Sequence, residues 1–173
     1  AVRGTGTGLL RLGLKPGDII LMRLGNTVEF PIAYLGAIAA GLIPVPTSSQ
    51  LTTEETSKII ADLTPAAILR DPKIACAPHP SQISSDSLIA MRDLPPCEYN
   101  LGDPNRLAYA VFTSGTSGIP RAVAHAHRAI WARQMMVKGW YDLHANDRLL
   151  HAGAFNWTYT LGTGLMDPWT IGA

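Results

Sequence analysis

The stretch Thr113–Arg121, TSGTSGIPR, constrains the surrounding chain more than any other segment. It sets four side-chain hydroxyls, two glycines, a proline and one cation between the apolar run Leu107–Phe112 and Val123. A core strand of this composition would bury its hydroxyls without partners. The chain must therefore leave the core here and return, which predicts a strand, a polar loop and a second strand. Gly115 and Gly118 open backbone angles closed to other residues and let N–H groups approach a ligand closely. Thr113, Ser114, Thr116 and Ser117 can donate hydroxyl hydrogen bonds to phosphate oxygens. Arg121 adds a permanent charge on a planar fork that matches phosphate. The segment reads as a phosphate clamp, with a Ser/Gly-rich surface loop as the plainer alternative.

The rest of the chain alternates short apolar runs with helical patterns. LKPGD at Leu14–Asp18 is turn chemistry, and Ile19–Leu24 follows as a mostly apolar strand interrupted by Arg23. Asn26 with Glu29 makes a capping-box pattern for a helix that includes Pro31, which should remove one hydrogen bond, and that ends at Gly41. Leu42–Val45 is a second strand, Thr52 with Glu55 opens a second helix running to about Leu63, and Ala66–Leu69 is a third strand. From Asp71 to Pro104 periodicity fades, leaving loop with one short element near Ser87–Met91. Leu107–Phe112 and Arg121–Ala124 flank the clamp as strands, Ala126 to about Lys138 is helical, Asp147–His151 resembles a strand, and a helix starts over Tyr159–Met166. The N-terminal Gly4, Gly6 and Gly8 read as frayed chain. Strands alternating with helices predict an α/β fold with a largely parallel sheet flanked by helices.

Spacing sorts the phosphate loops. No GK[ST] exists, so the nucleoside-triphosphatase loop is excluded, and no G-x-G-x-x-G lies between a strand and a helix. The stretch from Tyr109 through TSGTSGIPRAVAHAH to Arg128 instead resembles the signature of the adenylate-forming superfamily, the AMP-dependent synthetases and ligases. LKPGD, NTVEF at Asn26–Phe30, Leu35–Ala37, Ala40-Gly41, Val45-Pro46, Leu51-Thr52 with Glu55, and Asp103-Pro104 before Leu107-Ala108 resemble the same family's N-terminal pattern. Ser117, Arg121 and Ala122 stand where the family usually has threonine, lysine and glycine.

The resemblance implies a two-step reaction. A carboxylate attacks the α-phosphate of Mg-ATP, releasing pyrophosphate, and a thiol, usually that of coenzyme A, then displaces AMP. It implies that Thr113, Ser114, Gly115, Thr116, Ser117 and Gly118 hold the β- and γ-phosphates, with Arg121 as the catalytic cation countering charge as pyrophosphate leaves. A charge-assisted bond of this kind is worth roughly 1.5–3 kcal/mol. The implied cofactors are ATP, Mg2+ and coenzyme A, and the implied partner is a small or medium carboxylic acid. The resemblance also implies that residues 1–173 are one partial domain, truncated at both ends, of the large N-terminal domain of an acyl-CoA synthetase, inactive alone. A truncated apolar surface could then support an oligomer.

Phe155-Asn156-Trp157 follows the expected strand ending at His151, where α/β sheets bind ligands. By resemblance to the acetyl- and medium-chain acyl-CoA synthetases, Asn156 and Trp157 begin the acyl pocket; ordinary core aromatics at Trp157 and Tyr159 are the equal alternative. His125 and His127 stand two positions apart with no further ligand nearby, so no metal site is expected. By resemblance His127 ends the signature and has a structural role. Arg128, Arg133, Lys138 and Arg148 read as solvated charges. A net charge of +1 argues against nucleic-acid or membrane-surface binding, and no apolar window is long enough for a membrane span. Cys76 and Cys97 form no metal-type cluster and suit a reduced, cytoplasmic chain, with one disulfide as the alternative. The competing function is a small non-catalytic nucleotide- or anion-binding module. Packing of Leu165–Ile171 against its own domain would favour that module, whereas a bare sheet face would favour a truncated enzyme.

Overall fold

The computed structural model describes residues 1–113 and 121–173. Four parallel strands, β1 (Ile19–Arg23), β2 (Ile43–Pro46), β3 (Ala67–Arg70) and β4 (Gln82–Ser84), form a sheet in the order β2-β1-β3-β4. The central strand β1 has neighbours on both edges and helices over its faces, so Ile20, Leu21 and Met22 are fully buried. Parallel strands buried on both faces read as continuous apolar runs, and this pattern made β1, β2 and β3 visible in the sequence. The three-residue β4 was not visible, because only Ile83 of it is buried.

Helix α2 (Glu29–Ala39) joins β1 to β2 and is apolar nearly all round, as befits a helix covered on both sides. One cover is the sheet and the other is α1 (Val2–Arg11). The glycine-rich N-terminus is thus a packed helix and not the frayed chain its composition suggests. Its glycines serve close approach: a Cβ on Gly6 would stand 2.7 Å from Cys97 Sγ and 3.0 Å from the Gly36 carbonyl oxygen. Gly36 of α2 has the matching constraint, with Val2 O 2.8 Å from where its Cβ would be. Burial against α2 outweighs the low helix propensity of glycine.

The capping box at Thr52 and Glu55 is present and opens α3 (Thr53–Leu63). The similar pattern at Asn26 and Glu29 is not a cap. Helix α2 begins after Val28 with no side-chain cap bond, and Glu29 instead pairs with Arg92 at 2.8 Å. Pro31 lies in the first turn, where its missing N–H has no intrahelical acceptor, so it costs no hydrogen bond. Gly41 closes α2 with φ of 79°, as the sequence implies.

Helix α4 (Ser85–Met91) is the short element expected before the long loop. After it, β5 (Leu107–Thr113) and β6 (Arg121–Ala126) pair antiparallel as a separate two-stranded sheet, with β5 lying beside β2. Short helices α5 (His127–Ala132) and α6 (Gln134–Met136) and a π-helical turn over Val137–Tyr141 continue the chain. Helix α7 (Thr158–Thr160), a π-helical turn over Leu161–Met166 and α8 (Asp167–Ile171) end it. The expected strand at Asp147–His151 is absent: Leu150 is 96% exposed, Asp147 closes a turn on the His144 N–H, and a strand without a partner ladder has nothing to hold it.

Arg133 is not a solvated charge. It grips Asp167 of α8 with two bonds of 2.8 and 2.7 Å, and Asp167 is 1% exposed. Cys76 and Cys97 are both free thiols. Among the described residues no helix is long and apolar enough to cross a membrane.

Candidate functional site

The segment read in the sequence as a phosphate clamp lies between β5 and β6 in the chain. Ala108, Tyr109 and Val111 bury the start of β5, while Phe112 is half-buried and Thr113 exposed, so the strand climbs from the core to the surface. The antiparallel register sets Thr113 opposite Arg121, with both side chains exposed. Thr113 and Arg121 are therefore cross-strand neighbours at the end of the strand pair that residues 114–120 connect. Ser114, Gly115, Thr116, Ser117 and Gly118 lie outside the described residues.

The two histidines have separate surroundings. His125 on β6 stacks on Tyr109 at 4.6 Å with the rings 5° apart, and burial together with the Arg133 charge holds its pKa below the ordinary value. His127 opens α5, and burial together with Arg106 lowers its pKa as well. Burial of the phenol raises Tyr109 to about 12. Among the described residues no group of three or more His, Cys, Asp or Glu could hold a metal ion.

Asn156 and Trp157 sit on a different element. No strand leads into them, and the loop that carries them rests beside the carboxyl end of β1 because of Asn26. The Asn26 Nδ2 donates to the Gly153 carbonyl at 3.0 Å, and the Phe155 N–H donates to Asn26 Oδ1 at 3.0 Å. The Phe155 ring stacks on Phe30 of α2 at 5.0 Å. His151 holds the same loop from its other side: Nδ1 accepts from the Gly153 N–H at 3.2 Å, and Nε2 lies 3.0 Å from Thr163 Oγ1. Thr163 Oγ1 donates onward to the Tyr159 carbonyl, so the proton of the imidazole sits on Nε2. Trp157 is 66% exposed and Tyr159 67%, so within residues 1–173 neither packs as a core aromatic. Among the described residues no hydrogen bond joins this loop to Thr113 or Arg121.

Arg23, read in the sequence as an interruption of β1, is a fully buried brace. Its guanidinium donates to Thr47 Oγ1 at 3.1 Å, to the carbonyls of Leu51 at 3.1 Å and Ala75 at 2.6 Å, and to the Ser48 carbonyl. It ties together the loops leaving β2 and β3. Burial lowers its pKa, with Cys76 acting in the opposite sense. The strand order reverses between β1 and β3, and a cavity of about 320 Å³ opens there beside Thr27, Glu29, Asp71, Lys73 and Ser85. Of the sequence-predicted site residues that the structure describes, Thr113, Arg121, Asn156 and Trp157, none lines it. The signal missed in the sequence was Asn26, whose partners are more than a hundred positions away and whose local pattern imitates a helix cap.

The comparisons with known proteins place the chain in one family. A family model described as AMP-binding enzyme matches residues 1–173. A 4-hydroxybenzoate–CoA/benzoate–CoA ligase of Rhodopseudomonas palustris is 27% identical, aligned to 100% of this chain and 35% of its own length. The long-chain-fatty-acid–CoA ligase FadD13 of Mycobacterium tuberculosis is 31% identical over 82% of this chain and 31% of its own. The crystal structure of a benzoate CoA ligase from Burkholderia xenovorans superposes with a TM-score of 0.84 at 22% identity, covering 99% of this chain and 37% of that one. The N-terminal domain of FACL13 from Mycobacterium tuberculosis superposes equally, TM-score 0.84 at 23% identity, covering 99% and 47%. The chain thus spans about a third of the length of the curated relatives it matches.

Proposed function

The chain belongs to the AMP-binding enzyme family, and on that premise we propose that it is a segment of an ATP-dependent acyl- or aryl-CoA ligase carrying the triphosphate-binding loop and the start of the acyl pocket. The observation that carries this reading is the register pair Thr113 and Arg121, which brings a hydroxyl and a cation together at the mouth of the strand pair that the TSGTSGIPR segment joins. That arrangement fits a polyphosphate: the hydroxyl donates to an oxygen, and the guanidinium counters charge. Ser114, Gly115, Thr116, Ser117 and Gly118 complete the clamp in this reading. The Mg2+ would be held largely by the oxygens of the triphosphate and by water, since such ions seldom need an all-protein cage.

Bound ATP supplies the α-phosphate that a substrate carboxylate attacks, and coenzyme A supplies the thiol of the second step. Thr113 and Arg121 keep the leaving pyrophosphate in place and stabilise its growing charge, which is the main contribution a protein makes to such chemistry. Asn156 and Trp157 border the acyl group. The substrate is a carboxylic acid, in keeping with the benzoate and fatty-acid ligases among the relatives.

Residues 1–173 form one partial domain in this reading. The exposed Ala122, Val123 and Ala124 of β6 and the exposed Trp131, Met135, Trp140 and Leu150 support a surface made to be covered, whether by further chain or by a second copy. One observation favours the non-catalytic module instead: Leu165 and Met166 are buried in the main core. The exposed apolar residues over β6 and between residues 131 and 150 support the segment reading. Carboxylate-dependent ATP–pyrophosphate exchange by the 173-residue chain, run over a panel of aryl and aliphatic acids, tests this. No exchange is expected, and clear exchange would overturn the partial-domain reading.

A further inference from the structure

We infer that Asn26 is a positioning residue for acyl recognition, acting through the backbone of the Gly153–Trp157 loop. This inference rests on the reading of Asn156 and Trp157 as acyl-pocket residues. A primary amide carries a donor nitrogen and an acceptor oxygen on the same carbon, and here both are used on residues two positions apart, the Gly153 carbonyl and the Phe155 N–H. That is the pair a neighbouring strand would engage, so Asn26 acts as a one-residue substitute for a sheet partner at a place where no strand forms.

The remaining freedom of the loop is removed from other directions. His151 Nδ1 takes the Gly153 N–H, so both backbone polar atoms of Gly153 are engaged. A Cβ on Gly153 would overlap Thr160 Oγ1, which confines that backbone against α7. Phe155 is stacked on Phe30, itself 1% exposed in the first turn of α2. The Trp157 N–H then bonds the Ala154 carbonyl at 3.1 Å, closing a turn ahead of α7. The chain from Gly153 to Phe155 is fixed at every step, and the next two side chains, Asn156 and Trp157, are presented from it. Asn26 lies three residues past the end of β1, so the first strand of the fold sets the place of a loop far along the chain. Its removal should alter how a carboxylic acid is held while leaving the ATP clamp on β5 and β6 untouched.

The experiment compares wild type and Asn26→Ala in the full-length protein that carries these residues. Amide hydrogen exchange and carboxylate-dependent pyrophosphate release are measured side by side. Asn26 is exposed, so the core should be indifferent to the change. The Phe155 amide is expected to exchange roughly tenfold faster, the loss of one net hydrogen bond, with Leu21 and Met22 unchanged. The KM for the carboxylic acid is expected to rise about fivefold or more, with the KM for ATP within about twofold. Unchanged Phe155 exchange, or equal loss of protection in β1, would overturn the positioning role, as would an unchanged carboxylate KM. A wild-type protein that releases no pyrophosphate with any acid would instead overturn the adenylation reading, and the recognition role with it.

Discussion

Replacing Gly4 by alanine should destabilise this protein, although the same change in most helices does the reverse. In an exposed helix interior alanine is favoured over glycine by about 0.8–1.0 kcal/mol, through the smaller entropy lost on folding. At Gly4 that gain meets three backbone oxygens. A Cβ would stand 2.5 Å from Arg92 O and 2.9 Å from both Leu94 O and Met91 O. None of these can rotate away as a side chain could, so α1 must back off from the end of α4 or the turn after α4 must shift. Overpacking of this kind costs about 1–3 kcal/mol, and three backbone contacts put it toward the upper end. The balance is a net loss of about 2 kcal/mol, or roughly 4–8 °C in melting temperature for a chain of this size. Gly139 is the control, because a Cβ there meets nothing within 4 Å and Gly139→Ala should be neutral or slightly stabilising. Urea unfolding followed by circular dichroism reads both variants, with the slope held to confirm that stability alone has changed. A Gly4→Ala protein as stable as wild type would refute the close packing assigned to α1.

Asp167→Asn leaves the half-buried Arg133 without its carboxylate, and breaking a pair buried on one side should cost about 3 kcal/mol in the same assay. Glu54→Gln, which breaks the exposed pair with Lys58, should leave the melting temperature unchanged. His125 and His127 both titrate below the ordinary 6.5 in the folded state, so the unfolded chain takes up protons first. Their contribution to stability is therefore complete above about pH 7, and it declines as pH falls from 6.5 through the folded values. Melting temperatures between pH 8 and 5 should show that decline, and His125→Gln should flatten part of it. A curve level across that window would contradict the burial assigned to both rings.

The legible parts of the fold were those whose cause is local. The apolar runs of β1 to β3 announce burial on both faces, and the Thr52–Glu55 cap closes within four residues. The polar segment between β5 and β6 announces a departure from the core. What the sequence hid depends on partners far along the chain. Glycines that look like fraying in α1 are contact points for α2 and α4. Asn26 imitates a cap but serves a loop 127 positions away, and Arg133 looks solvated until Asp167 meets it. The run Asp147–His151 has the composition of a strand and no ladder to join. For the candidate site, the residue types were legible as chemistry, and the register of Thr113 against Arg121 became visible only in the fold. The support of Asn156 and Trp157 by Asn26 and His151 was not legible at all, since hydrogen bonds to backbone atoms leave no pattern in side-chain spacing.

In the proposed reading, the segment ending in Arg121 holds the triphosphate of ATP. The most direct measurement is carboxylate-dependent ATP–pyrophosphate exchange by the full-length protein, comparing wild type with Arg121→Ala at varied ATP. Loss of a charge-assisted bond worth roughly 1.5–3 kcal/mol predicts an ATP KM raised about ten- to a hundredfold, with the unfolding transition unchanged. An Arg121→Ala protein that uses ATP with wild-type kinetics would refute the triphosphate role of this segment.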